Sequence, residues 1–132
     1  FMTLVESRSN FHYLGFVDRA TLYSAFRNAH VVAMPSWTEN SGHVALEGGL
    51  MECNVVSTSR GYGKWYLQED AWYCEPDDPA SIRSAVKNAL EAPRGARALR
   101  ERLLREFSPE RTAMILHQAF VQAIENHPEN AR

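Results

Sequence analysis

Two carboxylates, Glu39 and Glu47, stand with seven residues between them at a predicted strand-to-helix junction. The strand is the apolar run His30–Met34; the chain then turns at Pro35-Ser36, crosses a polar loop and starts a helix near Ser41-Gly42. Such a junction leaves backbone N–H groups without intrahelical acceptors and aims the positive end of the helix dipole at them. An anion is its natural ligand. Glu39 lies in the loop, whereas Glu47 lies more than one turn into the helix and can reach hydroxyl groups beside the anion. A molecule with phosphates in the middle and polyols at both ends, such as a nucleotide-sugar, matches this layout. Gly42 with the amides of His43 and Val44 is the candidate diphosphate contact. Each residue also has a plainer reading. Glu39 is then a loop carboxylate, Glu47 an exposed helix residue, Gly42 a helix-start glycine and His43 an exposed histidine. Ser36, Asn40 and Ser41 are either ligand contacts or turn and capping residues.

The elements that hold this junction alternate. Four short strands are expected, at Phe11–Leu14, His30–Met34, Asn54–Ser59 and Ala71–Glu75. The nearly unbroken apolar character of the second suits a parallel sheet covered on both faces. Asp18 is placed to cap a helix over 19–28 with Leu22, Ala25, Phe26 and Ala29 on its inner face. The helix after the junction, about 42–52, contains Gly48-Gly49, which lowers helix stability by about 1 kcal/mol each against alanine and implies close contact with sheet or ligand. The glycine-rich turn Arg60–Lys64 falls at the same sheet end and is expected in the pocket wall, with Tyr62, Lys64 and Tyr66 as candidate borders, while Trp37 is expected to pack the loop down.

Three helices are predicted to follow. The first, to about residue 92, carries Ile82, Ala85, Val86, Ala89 and Leu90 on one stripe; the second, 95–107, carries Leu99, Leu103 and Phe107. The last is capped by Ser108 with Pro109 behind it, and carries Ala113, Leu116, Phe120 and Ile124 inward. The pattern predicts one α/β domain over 1–132, with a ligand-binding half-domain at 10–92 and a helical tail at 93–128. With 132 residues the chain has enough length for a core. Its net charge of −2, without a run of Lys or Arg, points away from nucleic acid and membrane surfaces, and the basic residues from Arg94 to Arg111 read as a solvated helix face. No membrane span, signal peptide or metal-ligand spacing is expected. Cys53 and Cys74 read as buried thiols of a cytoplasmic, reducing compartment, and a first residue of Phe1 is expected of a vector remnant or a fragment.

Several stretches resemble the retaining glycosyltransferases of the GT-B fold. Glu39 to Glu47 is similar to that family's Glu-x7-Glu motif, and Tyr13–Val17 to the strand and turn ahead of it. Pro35-Ser36-Trp37 resembles the donor loop, Leu46–Val56 the segment after the motif, and Trp72–Asp78 with Ser81-Ile82 the closing strand and next helix. The resemblance implies a partial Rossmann-like GT-B C-terminal domain, about four parallel strands flanked by helices. It would bind a nucleotide-sugar donor, with Glu39 as the catalytic acid near the sugar and Glu47 on the ribose. It needs no cofactor or metal, the nucleotide-sugar being a substrate. It also implies that the acceptor domain, the first two strands of the donor domain and the family's diphosphate-binding Arg and Lys lie outside this chain. Little turnover is then expected alone. The open sheet edge predicts either a homodimer, joined there or through the last helix, or pairing with a complementing N-terminal glycosyltransferase domain. A non-catalytic, nucleotide-sugar-binding or self-assembling module is the alternative.

Overall fold

Short runs rich in β-branched or aromatic residues, each followed by a helical segment, set the architecture. The computed structural model describes residues 9–127. Helix α1 (Arg19–Asn28) begins at Asp18, whose side chain accepts the Thr21 N–H at 2.7 Å. There follow β1 (Val31–Met34), α2 (His43–Leu50), β2 (Asn54–Thr58), α3 (Gly63–Leu67) with a single 3-10 turn, and β3 (Ala71–Cys74). Then come α4 (Pro79–Glu91), α5 (Arg97–Glu106) and α6 (Pro109–Glu125). Asp78 and Ser108 cap α4 and α6, each with proline in the first turn, because their side-chain oxygens accept otherwise unpaired amides.

The sheet is parallel, in the order β1-β2-β3, with Val32 opposite Val55 and Val56 opposite Trp72. β2 is central and buried along its whole length. On one face Val55 packs with Ala45, Tyr66, Leu67, Leu99 and Leu103. On the other, Val56 and Cys74 meet Ala85 and Ala89 of α4. The glycine pair in α2 is explained by proximity. A Cβ at Gly48 would sit 2.9 Å from Val32, and one at Gly49 2.8 Å from Leu99, so α2 wedges against β1 and α5. Cys53 and Cys74 are free and buried.

Four expectations change. Phe11–Leu14 forms no strand, so the sheet has three strands among the described residues rather than four. In a 3-2-1-4-5-6 order two strands stand between that segment and β1, and neither is among the described residues. Its side chains Phe11, Tyr13 and Leu14 are accordingly exposed. The expected inner stripe of α6 is exposed too, Leu116, Phe120 and Ile124 included, and no residue of α6 is buried. Ala25 and Leu90 likewise lie outside their helices' buried faces.

The fourth change concerns the basic segment, which is not a simple solvated face. Arg94, Arg100 and Arg102 reach the C-terminal ends of three other helices. Arg94 donates to the carbonyls of Arg27 in the last turn of α1 and of Ala29 just after it, Arg100 to Leu50 at the end of α2, and Arg102 to Tyr66 and Leu67 at the end of α3. A guanidinium suits these positions because the last carbonyls of a helix lack intrahelical donors and carry the negative end of its dipole.

Candidate functional site

The loop after β1 and the loop after β2 are joined by their own backbones. Glu39 N–H donates to the Arg60 carbonyl at 3.2 Å, and Tyr62 N–H donates to the Glu39 carbonyl at 2.9 Å. Glu39 and Gly61 thus form a parallel bridge beyond the end of the sheet. Gly61 is required there: its φ is 94°, and any Cβ would run into the Glu39 carbonyl. The turn expected in the pocket wall therefore also fixes the position of Glu39.

The helix start is built on Gly42, which takes a left-handed conformation with φ 54° as the N-cap of α2. No side chain caps this helix, which corrects the capping alternative for Ser36, Asn40 and Ser41. Instead Glu39 Oε1 accepts the Gly42 N–H at 3.0 Å. The amides of His43, Val44 and Ala45 lie in the first turn, where helical geometry provides no acceptor. His43, Val44, Asn40 and Ser41 are exposed, and Ser36 is half-buried. Glu47 follows His43 by four residues and so shares its face of α2, off the buried line Ala45-Gly48-Gly49. It is half-buried, and its carboxylate takes no hydrogen bond or ion pair from the described residues.

Charge beside the loop is already committed. Arg60 Nη2 donates to both oxygens of Asp77 at 2.8 Å and Arg60 Nε lies 3.5 Å from Glu75 Oε2, while the guanidinium stacks 4.8 Å over the Trp37 ring. The hydrogen bond from Arg60 lowers the Asp77 pKa, so the link is formed at neutral pH and lost only on acidification through the lowered value. Trp37 remains mostly exposed instead of packing the loop onto the body.

Next to the junction lies a cleft of about 360 Å³ lined by Asn40, Ser41, Leu46, Tyr62, Trp65, Tyr66 and Phe107. Tyr62 and Tyr66 were expected borders; Lys64 instead sits over the Tyr73 ring at 5.3 Å. Trp65 and Phe107 form an edge-to-face pair with centroids 5.5 Å apart, closing the far wall. Neither was foreseen, since a contact between α3 and the end of α5 leaves no periodic signal. Also unforeseen is Ser57 on β2, a buried hydroxyl without a hydrogen-bond partner, a property it shares with Tyr66. A larger groove of about 530 Å³ runs along α4 past Ile82 and Val86, far in sequence from both acids.

The family model described as glycosyl transferases group 1 matches residues 2–92, across the sheet, both joined loops and the helix start. The chain belongs to that family. This glycosyltransferase chain is 29% identical over 117 residues to glycogen synthase of Mycobacterium tuberculosis, in strains CDC 1551 / Oshkosh and ATCC 25618 / H37Rv. That alignment takes in 84% of the chain and 28% of the relative. Among solved structures, sucrose-phosphate synthase from Thermosynechococcus elongatus superposes with a TM-score of 0.81 at 22% identity, over 96% of the chain and 34% of that protein. The fold is thus a partial Rossmann-like GT-B domain, and the chain spans about a third of the length of these proteins. No helix among the described residues is long and apolar enough to cross a membrane.

Proposed function

We propose that this glycosyltransferase chain is the donor-binding portion of a retaining enzyme that transfers a glycosyl group from a nucleotide-sugar. The observation that carries this reading is the α2 start. Amides without a side-chain cap at His43 and Val44 lie one turn from Glu47, a half-buried carboxylate with no partner among the described residues. Amides and dipole suit a diphosphate, and a free carboxylate one turn away suits a ribose diol. Glu39, anchored by its backbone on the Arg60–Tyr62 turn, is assigned to the sugar end, with Ser36, Asn40 and Ser41 as neighbouring contacts. Donors fixed in this way stabilise a departing nucleoside diphosphate without reorganising. No metal is required.

The isolated chain is assigned binding without turnover. It spans about a third of its relatives' length, and the guanidinium nearest the loop is tied to Asp77 and Glu75. Exposed apolar side chains on α6, among them Met114, Leu116 and Phe120, and the edge of β1, which has no ladder among the described residues, suit cover by a complementing glycosyltransferase domain. A homodimer through the same surfaces is the alternative, and a concentration-independent monomer mass excludes it. The buried free thiols suit a cytoplasmic setting.

Calorimetric titration with ADP-, UDP- and GDP-glucose should give saturable binding by the chain. Glu47→Ala should weaken it about tenfold or more, the value of a hydrogen bond to a charged group. Unchanged affinity in the variant removes the ribose assignment. The commitment of Arg60 also favours a second reading, a binding module that never transfers sugar. A transfer assay with the complementing domain added separates the two.

A further inference from the structure

Tyr66 carries a hydroxyl that the fold does not use. The residue is only 4% exposed, and its hydroxyl is buried without a hydrogen-bond partner. A buried hydroxyl left unbonded is destabilising, so its retention needs a reason. Its surroundings offer one. The hydroxyl abuts Gly42 so closely that a Cβ there would overlap it, and Gly42 is the residue whose N–H is held by Glu39 Oε1 at 3.0 Å. Burial first, and the charge of Glu39 second, raise the Tyr66 pKa, so the group is a protonated donor at neutral pH.

Glu39 and an incoming diphosphate compete for one set of amides. The carboxylate occupies Gly42 N–H in the ligand-free chain, and an anion arriving at the α2 start both repels it and claims that donor. We propose that Tyr66 is a positioning residue for Glu39: on anion binding its hydroxyl takes over the carboxylate released from Gly42, holding Glu39 at the sugar end of the site. Only hydrogen bonds are exchanged; Gly42 N–H passes to the phosphate and Tyr66 O–H passes to Glu39. The Ser57 hydroxyl, also unbonded, lies on the same side: a Cβ at Gly63 would be 3.3 Å from it and 3.9 Å from the Tyr66 hydroxyl. This inference rests on the donor-binding reading and adds a residue to it.

Tyr66→Phe removes the hydroxyl alone, and its two effects should run in opposite directions. In urea denaturation the variant should be as stable as the wild type or more so, since an orphaned polar group becomes apolar at constant shape. In calorimetry with ADP-, UDP- and GDP-glucose it should bind about tenfold more weakly, because the displaced Glu39 finds no donor. Glu39→Gln should reduce the penalty of Tyr66→Phe when the two are combined, as expected of coupled neighbours. A lower stability of Tyr66→Phe overturns the proposal by showing that the hydroxyl is bonded in the free fold. Wild-type affinity in Tyr66→Phe overturns it while leaving the donor-binding reading in place. Absence of any binding by the wild-type chain overturns both.

Discussion

Arg102→Ala should lower the unfolding free energy by about 2–4 kcal/mol, because it leaves two buried helix-end carbonyls without donors and unpairs the partly exposed Asp70. Arg102 is 8% exposed and makes four hydrogen bonds. Its Nη1 donates to the Tyr66 carbonyl at 2.5 Å, and its Nη2 to Leu67 at 2.7 Å. Nε and Nη2 both hold Asp70, at 3.1 and 2.7 Å. Without the guanidinium, Asp70 and two carbonyls lose their donors. The consequence reaches the cleft, because α3 has five residues, too few to be stable alone, and it carries Trp65 and Tyr66. Lysine should not rescue, having the charge without the planar fork. Urea denaturation followed by circular dichroism measures the loss, with Arg105→Ala as control. Arg105 pairs with Glu106 at the surface, where such a pair contributes about 0–1 kcal/mol. Equal midpoint shifts in the two variants would mean that Arg102 does not clamp α3.

Gly61→Ala should cost about 2–3 kcal/mol and weaken nucleotide-sugar binding at least about tenfold. Two costs combine. A side chain at φ 94° is strained, and its Cβ would overlap the backbone of Glu39. The second is relieved only by parting the two loops, which breaks the pair of hydrogen bonds between Glu39 and Arg60–Tyr62. The Glu39 backbone then loses its anchor, and its carboxylate no longer has a fixed place at the sugar end of the site. Gly95→Ala separates the terms, because Gly95 also has a positive φ, of 121°, but open space around it. That variant should show the backbone cost alone and keep wild-type affinity. Were Gly61→Ala to match it in both measurements, the bridge would have no part in holding the site.

The junction was legible in sequence because its signals are local. An apolar β-branched run, a proline turn and a glycine before an amphipathic segment place strand, loop and helix without reference to anything distant. Asp18 and Ser108 cap as read, for the same reason. What escaped depends on partners far along the chain. Arg102 looks like any basic residue on a helix until α3 and Asp70 are folded beneath it. Tyr66 reads as one more aromatic until Gly42 is brought against its hydroxyl. Phe11–Leu14 and the α6 stripe fail for the converse reason. Their periodicity is real, but periodicity reports a face suited to burial, not the presence of something to bury it. Both segments stay exposed in a chain that spans about a third of its relatives. The Gly48-Gly49 pair lies between these cases: close approach was readable, and the neighbours Val32 and Leu99 were not.

Backbone amide shifts, followed residue by residue during titration with ADP-, UDP- and GDP-glucose, test most directly whether the α2 start is the anion site. The amides of Gly42, His43 and Val44 should move furthest and saturate together with one of these donors. The Gly42 resonance should move most as its bond to Glu39 is exchanged for one to phosphate. Saturable shifts centred on the α4 groove, or none at millimolar donor, would contradict the assignment of this junction to a nucleotide-sugar.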